Sequence, residues 1–141
     1  MKKIFTIIIL GAILGFSACS EDETPDQQII GTWELTETIG SWPVDIPEGE
    51  ADYFVSYQFR QDGTFQKTQD INGTESSASG TYTIDSTQDE IFALLTFSSP
   101  SEIIQSCNSN ATTESVTIVS NNRLEVDTSP CDGPKNIFAK R

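Results

Sequence analysis

The sequence predicts an all-β protein, an antiparallel up-and-down β-barrel of about eight strands. Short runs of alternating apolar and polar residues suit strands, no run after residue 28 has a helical period, and tight turns separate most of the runs. Tight turns join antiparallel neighbours, and closure of a sheet removes its exposed edges, so a barrel is favoured. A β-sandwich is the alternative, because alternation alone does not separate the two folds.

The first 18 residues have the features of a secretory signal peptide. Two lysines precede an apolar run over residues 4–16, and two small residues follow it. The run is too short to span a bilayer as a helix, which needs about 20 residues. We therefore expect residues 1–18 to be removed from an exported protein.

Cys19 stands directly after this segment. The residues Phe16-Ser17-Ala18-Cys19 resemble the bacterial lipobox, although Phe16 replaces the commoner leucine. The resemblance implies that Cys19 becomes the lipidated first residue, with the two chains that stable membrane attachment requires. Residues 19–28 are polar and contain a proline, so we expect a flexible tether.

The chain is strongly acidic, with 21 acidic and 8 basic residues and a formal charge of −13. Loss of residues 1–18 leaves 6 basic residues and a charge of −15. Such a domain repels phosphate backbones, so nucleic acid is not an expected partner. The acids after Cys19 suit a solvated tether, but they also resemble the export signal of surface lipoproteins of Bacteroidota. This implies an outer-membrane protein that faces the cell exterior, with a periplasm-facing protein as the alternative.

Residues 29–141 constitute the predicted barrel domain. Asp62-Gly63 and Asn72-Gly73 are strong hairpin signals, and Asn121-Asn122 indicates another turn. The run 91–97 is almost continuously apolar, which predicts a buried strand. The expected strands are 29–39, 52–60, 64–71, 79–85, 91–97, 115–120, 123–127 and 136–141, with a further short one at 103–104.

Two of these runs predict which side chains face inward. In the first run, Trp33, Leu35 and Ile39 share one alternating face. The second run places Tyr53, Val55, Tyr57 and Phe59 on one side.

Cys107 and Cys131 are the other two cysteines. In an exported protein they are a natural disulfide pair, and two free buried thiols are the alternative. Two cysteines without any histidine make a poor zinc site, so we expect no metal.

Three motifs in order carry a family resemblance: Gly31-Thr32-Trp33, the F-x-x-D-G-T-F run over 59–65, and Gly80-Thr81-Tyr82. Behind a lipobox, they resemble the lipocalin-like lipoproteins of Bacteroidota. The resemblance implies a barrel whose Trp33 packs across a closed end, covered by Lys140 or Arg141 of the last strand through a cation–π contact. Simple burial in the core is the alternative role for Trp33.

The sequence argues against an enzyme. The absence of histidine removes Ser-His-Asp and Cys-His catalysis, and no cofactor-binding fingerprint is present. The carboxylates fall mainly in turns and on polar strand faces, so a hydrolase with paired carboxylates is disfavoured. We expect no cofactor.

A small apolar or amphipathic molecule is the expected ligand. The connection from Gly40 to Ala51 carries Trp42, Val44 and Ile46, and by resemblance these residues form a lid at the entry to a cavity. Tyr53, Tyr57 and Phe59 are the candidates for the cavity wall. The alternative is a filled barrel with a structural role, or one that meets a protein partner at the cell surface.

Overall fold

The computed structural model describes residues 24–40 and 53–141. They form eight strands, each antiparallel to the next, and the last strand pairs with the first to close a barrel. The predicted up-and-down barrel is confirmed, and the sandwich is excluded. Among the described residues, no helix has the length and apolar character needed to cross a membrane.

The strands agree closely with the predicted runs. They are β1 Gly31–Ile39, β2 Tyr53–Phe59, β3 Thr64–Ile71, β4 Thr74–Ser86, β5 Ile91–Phe97, β6 Thr113–Ser120, β7 Arg123–Asp127 and β8 Lys135–Lys140. A short helix, α1 (Pro25–Ile29), precedes β1, and a 3₁₀ turn (Ser129–Cys131) follows β7.

Three differences from the predicted elements concern the boundaries. Helix α1 occupies residues 25–29, so it begins within the segment predicted as tether, and Thr24 caps it through a capping box with Gln27. Strand β4 begins at Thr74, because it pairs with β3 along its whole length up to the Asn72-Gly73 turn. Residues 103–104 are not a strand.

The predicted inward alternation of β2 is present, since Val55, Tyr57 and Phe59 are buried. The prediction that β5 is buried was wrong for one of its two faces. Every second residue of that strand faces outward, and Leu94 is 41% exposed.

The alternation of β1 is interrupted. A bulge between Leu35 and Glu37 inserts one residue opposite β8. Beyond the bulge Thr38 turns inward, and Ile39 becomes 50% exposed instead of sharing the face of Trp33.

The two ends of the barrel differ. Helix α1 and the turns 60–63, 87–90 and 121–122 lie at the end where β1 begins, which we call the closed end. The turn 72–73, the loop 98–112 and the connection 128–134 lie at the opposite end, which we call the mouth. Gly40 and Tyr53, which flank the connection between β1 and β2, are also at the mouth.

Trp33 fills the closed end. Its indole N–H donates a 2.7 Å hydrogen bond to the carbonyl of Ile29, so α1 is fastened to the barrel. Lys140 crosses the ring with its Nζ 5.4 Å from the centroid and donates to the carbonyl of Gln28 at 2.9 Å. Gly31 has φ +131° and lies under the Lys140 side chain, where a Cβ would come within 2.9 Å of Cε. This packing explains the glycine of the Gly-x-Trp motif.

Large side chains fill the body of the barrel. The rings of Phe59, Phe65 and Phe97 follow one another at centroid distances of 6.1 and 4.8 Å, and Phe138 meets Tyr57 edge-on at 5.0 Å. Because these side chains are buried, the interior between the closed end and the mouth is a packed core.

Candidate functional site at the mouth of the barrel

A buried ion pair lies inside the barrel, between two strands that are not neighbours. Lys67 of β3 and Glu114 of β6 have no exposed side-chain surface, and Nζ lies 2.8 Å from Oε2 and 3.2 Å from Oε1. The Tyr57 hydroxyl donates to Oε1 of Glu114, and Nζ lies 4.9 Å from the Tyr57 ring centroid. The network satisfies both charges within a mainly apolar core, as buried charges require.

Burial changes the protonation of this network. It raises the pKa of Tyr57 well above its ordinary value, and the charge and hydrogen bond of Glu114 raise it further. Burial lowers the pKa of Lys67, whereas the neighbouring carboxylate opposes that effect. The Tyr57 hydroxyl therefore stays protonated and continues to donate to Glu114.

Glu114 also attaches the loop 98–112 to the barrel. The backbone N–H of Gln105 donates to Oε2 of Glu114 at 2.8 Å. Ile103 is buried, and Ile104 packs against the core cluster. The loop thus lies across part of the mouth.

The predicted disulfide is present and holds the same loop from its other side. Cys107 in loop 98–112 is bonded to Cys131 in the connection 128–134. The loop is therefore fixed at Gln105 by a hydrogen bond and at Cys107 by a covalent bond.

Between these connections and the ends of β2 and β3 the mouth contains a cavity of about 330 Å³. We call it the mouth cavity. Apolar groups, neutral polar groups and two carboxylates line it. The lining residues are Tyr53, Gln69, Ile71, Glu102, Ile103, Ile104, Gln105, Ser106, Cys107, Thr128, Cys131, Asp132, Gly133 and Pro134.

Tyr53 and Gln69 form one polar side of the mouth cavity. The Tyr53 hydroxyl lies 3.5 Å from Oε1 of Gln69, at the limit of a hydrogen bond. Burial raises the pKa of Tyr53, and the charge of Glu114 adds to the effect. Tyr53 therefore lines the mouth cavity as a neutral residue.

Two buried polar atoms near the mouth have no hydrogen-bond partner among the described residues. They are Oε1 of Gln105, a lining residue, and Nδ2 of Asn136 in β8. The other amide atom of Asn136, Oδ1, accepts a 2.9 Å hydrogen bond from the Thr38 hydroxyl. Buried polar groups are normally paired, and Gln105 is the one of these two residues that lines the mouth cavity.

The residues proposed from the sequence as a cavity wall do not act together. Tyr53 lines the mouth cavity, but Tyr57 and Phe59 are fully buried in the core and do not reach it. Their alternation predicted an inward direction correctly, whereas the filled interior gives them a packing role. Trp42, Val44 and Ile46, and likewise Cys19, lie outside the described residues.

The cover of Trp33 is Lys140 and not Arg141. Arg141 lies on the outer surface with its side chain 70% exposed, and it pairs with Glu34. In the paired register Lys140 stands opposite Trp33 across β1 and β8, so it is the residue that reaches the ring.

Sequence analysis missed Lys67, Glu114 and Gln105. Lys67 lies two residues after the inward-facing Phe65 in β3, and Glu114 lies two residues before the inward-facing Val116 in β6. The alternation of each strand therefore already placed both charges on inward faces. No sequence signal identified Gln105, which lies in an irregular loop. Within the described ranges, no three Cys, Asp or Glu side chains come together as metal ligands do.

Comparison with known protein families matches residues 29–126 to the lipocalin-like domain. The match begins at the last residue of α1 and ends in β7. Comparisons with curated proteins and with solved structures found no match.

Proposed function

The chain belongs to the lipocalin-like domain family, and on that premise we propose that it binds a small amphipathic molecule in the mouth cavity. The observation that carries the proposal is the cavity itself, about 330 Å³ with a mixed apolar and polar lining. Small-molecule sites are typically concave and mainly apolar, with a few polar groups that fix orientation.

The location at the mouth sets the size of the ligand. Tyr57, Phe59 and Phe65 fill the space below, so a long chain has no room to enter the barrel. Ile71, Ile104 and Pro134 offer apolar contact near the surface, and Gln69 offers hydrogen bonds beside them. The proposed ligand is therefore short.

We further propose that the protein is a lipoprotein attached through Cys19 to the outer membrane and exposed at the cell surface. The lipobox resemblance at residues 16–19 and the acids that follow it support this proposal. Cys19 stands only six residues before Pro25, and an extended chain of that length reaches about 20 Å. Because α1 lies at the closed end, such an anchor directs the closed end to the membrane and the mouth away from it.

A filled barrel with a structural or protein-binding role is the second candidate. The packed interior favours it, since the large side chains of Tyr57, Phe65 and Phe138 are fully buried there. Exposed apolar side chains such as Phe54 and Leu94 offer contact points for a protein.

Native mass spectrometry of the full chain, purified from its host, tests the binding function. We expect a small molecule that co-purifies and is released on unfolding. An Ile71→Arg variant should lose it, because the longer charged side chain enters the mouth cavity. An Ile91→Arg variant, with the same change at the closed end, should keep it. A bare protein mass, with no thermal shift across a panel of amphiphiles, would favour the filled-barrel candidate.

Metabolic labelling with a tagged fatty acid tests the anchor. We expect label on the protein and none on a Cys19→Ser variant, because the thioether-linked lipid requires the thiol. Protease treatment of intact cells then separates the two orientations: degradation indicates surface exposure, and protection indicates a periplasm-facing protein.

A further inference from the structure

The mouth cavity has an unbalanced set of charges. Its lining contains the carboxylates of Glu102 and Asp132 and no lysine or arginine. Both carboxylates belong to connections that border the cavity, loop 98–112 and connection 128–134. The charge next to a ligand in this cavity is therefore negative.

The basic residues of the described chain lie elsewhere or are already paired. Arg60, Arg123, Lys140 and Arg141 are at the closed end. Lys135 bonds to Glu125 on the outer surface at 2.5 Å. Lys67 is inside the barrel, but both oxygens of Glu114 lie within 3.2 Å of its Nζ. No described cation is placed to receive an anionic headgroup at the mouth.

The neutral polar groups of the cavity also suit a ligand that donates hydrogen bonds. Oε1 of Gln105 is a buried acceptor with no partner among the described residues. Tyr53 is an aromatic residue of the lining, and tyrosine rings attract organic cations. Carboxylates, an acceptor oxygen and an aromatic ring are the groups that recognise an ammonium headgroup.

On the premise of the ligand-binding function above, we propose that the mouth cavity selects small amphipathic cations, with an amine or quaternary ammonium headgroup, over neutral or anionic molecules of similar size. The apolar part packs against Ile71, Ile104 and Pro134. The headgroup lies near Glu102 and Asp132. Fatty acids and phosphate-bearing amphiphiles are excluded by the same charges.

Calorimetric titration with three octyl amphiphiles tests the proposal: octyltrimethylammonium, octyl glucoside and octyl sulfate, each below its micelle concentration. The chain from Ser20 onward is suitable, because β1 pairs with β8 and the barrel closes without any residue before Thr24. We expect the cation to bind about fivefold to tenfold more tightly than the glucoside, and the sulfate to bind weakest. Added salt should weaken binding of the cation and leave the glucoside unchanged.

Charge-neutralising variants locate the effect. Glu102→Gln and Asp132→Asn should each weaken binding of the cation severalfold and leave the glucoside unaffected. Asn tolerates the left-handed backbone at position 132, where φ is +62°. Asp89→Asn, in the turn 87–90 at the closed end, is the matched control and should change neither.

The outcomes separate this proposal from the one on which it rests. If the sulfate or the glucoside binds as tightly as the cation, the charge selection is wrong and the binding function stands. If the variants bind the cation as the parent does, the carboxylates are not the recognition groups. The charge selection is then wrong, and the binding function stands. If none of the three amphiphiles binds to the folded chain, the binding function in the mouth cavity fails as well.

Discussion

Nζ of Lys67 lies 2.8 Å from Oε2 of Glu114, and both side chains are fully buried. The pair joins β3 and β6, which are separated by two strands in the sheet and meet only across the interior. A charge pair in this position selects the closed barrel over other pairings of the same strands. An open sheet would leave both charges without a partner, at a large cost in free energy.

A double-mutant cycle measures this pair. Lys67→Met and Glu114→Leu should each lower the free energy of unfolding by about 3–5 kcal/mol, because each leaves one buried charge unpaired. The double variant should lose much less than the sum, since no charge remains. Chemical unfolding gives the values, with Arg123→Met as the exposed control at under about 1 kcal/mol. Additive losses in the double variant would show that the two charges do not interact.

The cover of Trp33 is tested by two neighbouring substitutions. Lys140→Met should cost about 1–2 kcal/mol of unfolding free energy, because it removes the cation–π contact and the hydrogen bond to the Gln28 carbonyl. Arg141→Met should cost about 0.5 kcal/mol or less, because its bond to Glu34 is exposed. Equal losses, measured by thermal unfolding, would contradict the assignment of Lys140.

The disulfide links loop 98–112 to the connection 128–134 at the mouth, and it should stabilise the folded protein. The two cysteines are separated by 24 positions, and closing a loop of that size contributes about 3.5 kcal/mol in the chain-entropy account. The variant with both Cys107→Ser and Cys131→Ser should unfold at a lower temperature by a corresponding amount. Reductant should lower the melting temperature of the parent and leave that of the variant unchanged. A parent that is insensitive to reductant would refute the prediction.

Gly80 is required where β4 lies against the last residues of β5, since it stands opposite Phe97. A Cβ at this position would lie 1.9 Å from the carbonyl oxygen of Thr96 and 2.8 Å from Cα of Phe97. Gly80→Ala should therefore destabilise the protein by about 1–3 kcal/mol or more, since backbone must move. Ser77→Ala, on an exposed part of the same strand, is the control and should stay within about 0.5 kcal/mol. Chemical unfolding followed by far-ultraviolet circular dichroism gives both values.

The raised pKa values of the tyrosines should make the folded protein lose stability at alkaline pH. Burial raises the pKa of Tyr53, Tyr57 and Tyr82, which are all the tyrosines of the chain. In the unfolded chain they ionise at about pH 10. The folded state holds these protons more tightly, so their contribution to stability is complete below that pH and is lost as pH rises above it.

Tyrosinate absorbance during an alkaline titration measures this effect. In denaturant the signal should rise near pH 10, and in the folded protein it should rise at higher pH and together with unfolding. Tyr57→Phe should reduce the amplitude of the late rise by one tyrosine. A folded protein that titrates as the denatured chain does would show that the tyrosines are accessible to solvent.

The strands and turns were predictable because their signals are local. Alternation over β2 and the turn at Asn72-Gly73 depend on a few consecutive residues, and Asn72 and Gly73 both adopt the positive φ that such a hairpin turn needs. Local signals do not report a bulge, so Ile39 was placed on the wrong face. They also do not distinguish a buried strand from one with an apolar outer face, which is why β5 was misjudged.

The candidate site was less predictable, because it depends on contacts between distant parts of the chain. Alternation places Lys67 beside Phe65 and Glu114 beside Val116 on inward faces, but only closure of the barrel brings the two charges together. Tyr57 points inward as expected, yet whether an inward ring lines a cavity or fills a core depends on all the strands that surround it.

The sequence by itself determined the all-β class, the order of the strands and an acidic composition with no histidine. The tertiary structure decided which end of the barrel is filled and which has a cavity, that Lys140 rather than Arg141 covers Trp33, and that loop 98–112 lies across the mouth. The physical reason is range: strand alternation and turn formation are properties of neighbouring residues, whereas a cavity is the space left after every strand and loop has packed.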